Sequence, residues 1–327
     1  MKRLLVLVAA AVALSAQAQN FPGGKPITLV VPFAAGGPTD RVARDLAQAM
    51  RITLPGARFV IENVNGASGT VGAAKVAKSN PDGHTLLLWH IGMAATAGLY
   101  RKLPYQPLQD FEYLGVIDDV PMTLIARPAL PATSYREFES YIRAKGPKLN
   151  IAHAGLGSAS HLCSLMWQSA VAGKQIMTTI PFGGTAPAMT ALVSGQVDVM
   201  CDQTTNTAPQ IASGRIKPFA VTSATRLSVP SLLKDTPSLQ ELGLKDFNLT
   251  IWHGLYAPRG TPGPVLQQLN EALKRALKDP TFIEKQEALG AIVVTDERQE
   301  PAGHKTFVAA EIAKLKPLIE AAGTFAD

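Results

Sequence analysis

Between Ile27 and Met50 the chain reads ITLVVPFAAGGPTDRVARDLAQAM, a β-branched run that passes through two glycines into helical spacing. Ile27, Thr28, Leu29, Val30 and Val31 predict a buried strand, and apolar residues at Val42, Ala43, Leu46, Ala49 and Met50 predict a helix. Gly36 and Gly37 permit a tight turn and close approach of a ligand. Pro38 suits the first helical position, and Asp40 places a carboxylate where it favours a helix start. Such a unit presents unpaired backbone N–H groups at the positive end of a helix dipole, which is a place for an anion.

The unit recurs. Asn150 to His153 is a strand, Ala154-Gly155-Leu156-Gly157-Ser158 a turn and Ala159 to Val171 a helix; Met177 to Pro181, Phe182-Gly183-Gly184-Thr185 and Ala186 to Ser194 repeat it. Phe59 to Glu62 and Thr85 to Trp89 are further strands, the first followed by the glycine loop NVNGASGTVGA, the second by His90-Ile91-Gly92. Phe111 to Ile117, Met122 to Ala126, Val197 to Cys201, Phe219 to Thr222, Leu249 to Ala257 and Ala291 to Thr295 add six more strands. Helices are expected after the capping box Ser134 and Glu137, over Val265 to Lys278, and from about Ala302 to Ala322. Alternating strands and helices define an α/β chain with mostly parallel sheets. The order suits two lobes, residues 19–117 with 223–327 and residues 118–222, joined by two crossing strands that form a hinge.

The first 18 residues are a separate object: Lys2 and Arg3, an apolar run from Leu4 to Leu14, and the small-residue pattern Ala16-Gln17-Ala18. They read as a signal peptide cleaved after Ala18, too short in its apolar run to span a bilayer, and they predict a periplasmic chain. No later apolar stretch reaches membrane-spanning length. Of 31 Lys+Arg against 25 Asp+Glu, removal of Lys2 and Arg3 leaves 29 against 25, a balance of +4. No block of basic residues concentrates that charge, which argues against nucleic acid as a partner; it suits small anions, and equally it keeps a protein soluble. Cys163 and Cys201, an even count in an oxidising compartment, favour one disulfide, with a pair of buried thiols as the alternative.

Enzyme motifs fare poorly. Gly155-Leu156-Gly157-Ser158-Ala159-Ser160 imitates a dinucleotide fingerprint but has Ser in the third glycine place and no acid about twenty residues on. Ser158 lacks the flanking glycines of a nucleophile elbow. Ser158 and His161 share a helix face, so a secreted hydrolase using that pair is an alternative, although a capping serine and a half-buried histidine explain both. The six histidines show no metal-binding spacing. His90, at a strand's carboxyl end, is a candidate contact or simply the cap of the next helix. Asp40 and Asp202 are the acids best placed near a cleft; Asp40 equally fits a carboxylate reaching back to a loop amide. Phe33, Trp89, Phe182 and Trp252 are candidate apolar walls, or core.

The segments VPFAAGGPTD, ENVNGASGTVGA, NPDGHTLLL, AHAGLGSASHL, IPFGGTAPAM with SGQVD, and GLYAPRGTP stand in an order that resembles the extracytoplasmic receptors of tripartite tricarboxylate transporters, the Bug or TctC-like family, over essentially the whole mature chain. The resemblance implies a two-lobed, type II-like periplasmic binding protein, monomeric and without catalysis, cofactor or metal. It would capture a small organic carboxylate and deliver it to a two-component membrane permease. It places the ligand carboxylate on backbone amides and waters of the loop Phe33 to Asp40 (with Gly36, Gly37, Pro38 and Thr39) and the loop Gly155, Gly157, Ser158 and Ala159. Gly184, Thr185 and Ala186, with Asp202, would hold the solute's other end. Where many members have Tyr-Lys-Gly or Tyr-Arg-Gly, this chain has Phe182-Gly183-Gly184. The missing hydroxyl and cation favour a dicarboxylate or aromatic acid over a tricarboxylate. A chemosensory receptor of the same fold differs from this reading only in its partner.

Overall fold

A computed structural model describes residues 21–174 and 176–322. The signal peptide expected over residues 1–18 lies outside them. In chain order the elements are β1 (Ile27–Val31), α1 (Pro38–Thr53), β2 (Phe59–Asn63), α2 (Thr70–Ala77), β3 (Thr85–His90), α3 (Gly92–Leu99) and β4 (Phe111–Ala126). Next come α4 (Tyr135–Lys145), β5 (Asn150–His153), α5 (Ala159–Ala172), β6 (Thr178–Pro181), α6 (Thr185–Val193), β7 (Val199–Gln203), α7 (Thr204–Ala212) and β8 (Lys217–Val221). The chain closes with β9 (Thr250–Pro258), α8 (Gly263–Ala276), α9 (Pro280–Ala288), β10 (Ile292–Val293) and α10 (Pro301–Ala322).

The strands run in the order β2-β1-β3-β9-β4-β7-β5-β6, with β8 and β10 also paired to β4. Pairings β1 with β2, β1 with β3, β5 with β6 and β5 with β7 are parallel. Those made by β9, β10 and β4 are antiparallel, so one reversed strand or more sits at the centre of each half. Both faces are covered, as parallel strands require. Val30, Leu87 and Trp89 pack into one apolar cluster while Ile27, Leu29, Val31, Leu86 and Leu88 pack into another.

β4 corrects one expectation. Two strands were predicted across Phe111 to Ala126; the structure has one of 16 residues. Phe111 to Pro121 pairs with β9, and Met122 to Ala126 pairs with β7 and β8. Pro121 has no N–H to give, and it falls where the partner changes, the one place in such a strand where a proline is tolerated. The Met122 amide donates instead to the Thr222 hydroxyl at 2.8 Å, and that hydroxyl donates to the Leu249 carbonyl at 2.6 Å. One threonine thus ties together β4, the end of β8 and the start of β9.

Cys163, in α5, and Cys201, in β7, are joined by a disulfide with their Cα atoms 6.0 Å apart. Among the described residues no helix is long and apolar enough to cross a membrane.

Candidate functional site

Three glycine turns from the two halves of the sheet meet at one point. A Cβ on Gly184 would stand 3.2 Å from the Ala34 Cβ, one on Gly155 2.7 Å from the Ser68 hydroxyl, and one on Gly157 2.6 Å from a Leu99 methyl. Gly155 and Gly157 also have φ of +101° and +80°, so side chains are excluded there by conformation as well as by space. Between the turns lies a cavity of about 10 Å³, room for about one water.

The first wall is the amino end of α1. Gly37 caps it without any side-chain acceptor and Pro38 opens it, so the amides of Thr39 and Asp40 have no helical partner. The Asp40 side chain is turned away from the cavity to shape the loop. Its carboxylate accepts from the Gly36 amide at 2.9 Å, from Asn63 Nδ2 at 3.0 Å and from Arg44 at 2.9 and 3.1 Å. Burial alone would raise its pKa; the bonds from Arg44, Gly36 and Asn63 more than reverse this and hold the carboxyl below its usual range. The Asp40 side chain thus serves as the loop clamp, the second of its two sequence readings, while its amide remains one of the two at the helix end without a helical partner.

The second wall is the amino end of α5, and here two histidines take the role that Asp40 has in the first. His153 Nδ1 accepts from the Gly155 amide at 3.2 Å and His161 Nδ1 from the Gly157 amide at 3.1 Å. Those two amides, expected to hold a ligand, are consumed inside the turn; the amides of Ala159 and Ser160 are the ones left at the helix end. Ser158 donates to the Gly155 carbonyl at 2.7 Å and accepts from the His161 amide at 3.2 Å. Burial, with His153 close by, pushes His161 down to about 3. The His161 lone pair is taken by the Gly157 amide and the Ser158 hydroxyl donates to the Gly155 carbonyl, so the two side chains are not joined as nucleophile and base in this conformation.

Of the expected residues, Phe33, Gly37, Pro38, Thr39 and His90 line the cavity on one side, and Ser158, Ala159, Thr185 and Asp202 on the other. Gly36, Gly155, Gly157 and Gly184 belong to the turns behind them, and Ala186 to the first turn of α6. Ala34, within the expected loop, lines it too, and Ala154, Ser160 and Gln203 line it without having been anticipated. α6 and α7 begin at Gly184 and Gln203 without side-chain caps, which adds two more helix ends. Of the candidate aromatic walls only Phe33 reaches the cavity. Trp89 and Trp252 are core, the latter donating to Glu311 at 3.3 Å, and Phe182 packs with Ile180 and Met189.

His90 Nδ1 accepts from the Gly92 amide at 2.9 Å, so it caps α3, and its proton sits on Nε2. Burial and the nearby His253 hold its pKa well below 6.5. Asp202 is fully enclosed and receives a hydrogen bond from Asn206 Nδ2. Burial raises its pKa to about 7, so at neutral pH about half of it carries the proton, which lowers its repulsion toward an anion. One group went unseen in the sequence: His253 Nδ1 lies 2.7 Å from Asp118 Oδ1 and its Nε2 3.3 Å from Thr39 Oγ1. Only the pairing of β9 with both β3 and β4 brings those three residues together, and no local pattern announces it.

These buried histidines set a pH response. His161 and His304, both near 3 in the folded chain, take up protons near 6.5 once unfolded, so stability falls as pH drops from about 6.5 toward 3. Asp202 works the other way: it keeps its proton up to about 7 when folded but releases it near 3.8 when unfolded, so its contribution is lost as pH rises through about 7. Between pH 4 and 6.5 two imidazoles outweigh one carboxyl, and His90 and His153, also lowered, add to the imidazole side. Urea unfolding should show stability falling by about 1.4 kcal/mol or more per pH unit across that range. A flat profile would contradict histidines that are buried and neutral.

Uncapped helix ends meeting between two half-sheets suit a receptor for a small solute, and comparison with known proteins gives the family. Residues 42–324 match the family described as "Tripartite tricarboxylate transporter family receptor", and the chain belongs to it. The periplasmic binding protein BugD is 46% identical, covers 92% of this chain and 99% of its own, and superposes with a TM-score of 0.88. MatC from Rhodopseudomonas palustris, solved with bound malate, is 40% identical over 90% of this chain and 98% of its own, TM-score 0.84. Rpa4515 from R. palustris, solved with adipate, is 33% identical over 91% and 97%, TM-score 0.85. The fold is that of the two-lobed periplasmic binding proteins.

Proposed function

We propose that this chain is an extracytoplasmic solute receptor that holds a small dicarboxylate between its lobes and delivers it to a two-component membrane permease. The observation that carries the reading is the set of uncapped helix ends at Gly37, Gly184 and Gln203, with the first amides of α5, around a cavity with no Lys or Arg in its wall. Each end contributes roughly 0.3 to 1 kcal/mol to holding a charge, and about 2 kcal/mol where partly buried. Four of them converging suffice to anchor a carboxylate without a cationic side chain. Malate in MatC and adipate in Rpa4515 support a dicarboxylate, as does the absence of a cation in Phe182-Gly183-Gly184.

A cavity of about 10 Å³ is far too small for a four-carbon acid, so the walls part to admit one. The lobes are residues 19–117 with 223–327, and residues 118–222; they bend where β4 changes partners and where Thr222 joins Leu249. Residues 1–18 direct the chain to the periplasm, where it acts as a monomer. Thermal unfolding against a panel of C4 to C6 dicarboxylates, aromatic acids and citrate tests the reading. A dicarboxylate at a hundred times its Kd should add about 2.7 kcal/mol of stability. Citrate binding more tightly than every dicarboxylate would overturn the size preference, and a panel without effect would overturn the function.

A further inference from the structure

Asp202 stands near the end of β7, 1% exposed and in the wall of the cavity between the lobes. Among the described residues no Lys, Arg or second acid lines that cavity with it. Other enclosed carboxylates of the chain have a cation: Asp40 has Arg44, Asp119 has Arg298 and Asp198 has Arg127. Asp202 has in that place the neutral side-chain amide of Asn206.

Its surroundings are equally uncharged. β4 sets Thr123 opposite Asp202, and α6 and α7 contain no titratable residue. His153 of β5 and His161 of α5 are held below 6.5 by burial and accept loop amides, and burial holds His90, across the cavity, well below it. Asp40 is turned away onto Arg44, and His253 with Asp118 lies behind Thr39, outside the wall.

A solute carboxylate seated on the helix ends brings a second negative charge into this enclosure. Two carboxylates in a shared site without a cation do not both stay ionised. At roughly 6 to 8 Å and an effective dielectric constant near 20, their repulsion raises the proton affinity of the protein carboxyl by about 1.5 to 2 pH units. Burial has already brought Asp202 to about 7, against the hydrogen bonds from Asn206 and from the Gln203 amide, so the solute carries it above neutrality. We infer that capture of the solute is coupled to uptake of a proton by Asp202, so that the receptor takes its anion and a proton together. The proton comes from solvent and the solute is chemically unchanged. This rests on the carboxylate-receptor reading above.

Calorimetry on the mature protein with malate and with adipate, in phosphate and in Tris at pH 8, counts the protons, because the measured heat then depends on the ionisation enthalpy of the buffer. About 0.7 proton or more should be taken up per solute bound. Uptake on binding means that affinity falls as pH rises: the Kd should increase about tenfold or more from pH 6.5 to pH 8.5, a range in which the solutes stay ionised. Asp202→Asn has no proton to gain, so its uptake should be close to zero and its Kd constant within about twofold over the same range. General damage from the substitution weakens binding at every pH alike and leaves the slope readable. If the asparagine variant does not fold, Asp202→Ala serves, and the count on the wild type needs no variant. Wild-type uptake below about 0.2 proton, or uptake that persists without Asp202, overturns the inference and leaves the receptor standing. Binding of no acid at all overturns both.

Discussion

Replacing Cys163 and Cys201 by serine is expected to lower stability by about 4 kcal/mol, because the bridge closes a loop with a sequence separation of 38 and removes that much chain entropy from the unfolded state. The bridge also has a local address. Cys163 lies one turn beyond Ala159 at the head of α5, and Cys201 precedes Asp202 and Gln203 at the end of β7. Both neighbours line the cavity, so the serine variant should lose ligand affinity as well as stability. Urea unfolding of the wild type with and without reductant, beside the double variant, measures the first effect. A difference below about 1 kcal/mol would mean that native contacts hold α5 on β7 without help.

Asp40→Ala should reduce affinity for the preferred carboxylate by about a hundredfold and cost about 3 kcal/mol of stability, since hydrogen bonds to a charged group contribute about 1.5 to 3 kcal/mol each. The asymmetry of its partners fixes where the damage falls. The Arg44 side chain is 54% exposed and is rehydrated when its partner is removed, whereas the Asp40 side chain is 4% exposed and its other donors are loop groups. The Gly36 amide is left facing nothing, Asn63 Nδ2 keeps only its bond to the Phe33 carbonyl, and the turn that aims the head of α1 loses its clamp. Calorimetry together with hydrogen exchange at residues 33–37 reads both consequences. Affinity within threefold of wild type would show that the turn keeps its shape unaided.

The first unit was legible because three signals agree in it: a β-branched run, a pair of glycines and Pro38. Its helix begins at Pro38, four residues before the apolar stripe at Val42, since the first turn is polar and leaves no mark in a hydrophobic period. α9 went unread although its signals are present, Asp279 accepting from the Phe282 amide at 2.9 Å with Pro280 at the first position. α7 carries Pro209 within a threonine-rich run, which argues locally against the helix that tertiary packing imposes. The site divides in the same manner. Which loops meet could be read from repeated turns; which atoms face the cavity could not, because His153 and His161 withdraw two glycine amides and Asp40 a third. The pairing of Thr39, His253 and Asp118 depends on strand order, and strand order is set by packing of the whole sheet.

The uninterrupted course of β4 through the waist has a mechanical corollary. A paired ribbon resists stretching and sliding, because either breaks a ladder of hydrogen bonds, but it yields to torsion at small cost. At Pro121 the ladder changes partner, and there the Met122 amide bonds to the Thr222 hydroxyl in place of a strand carbonyl. Rotation there would carry the turns at Gly37 and Gly184 apart along a single arc, so their return would restore the same register of helix ends each time.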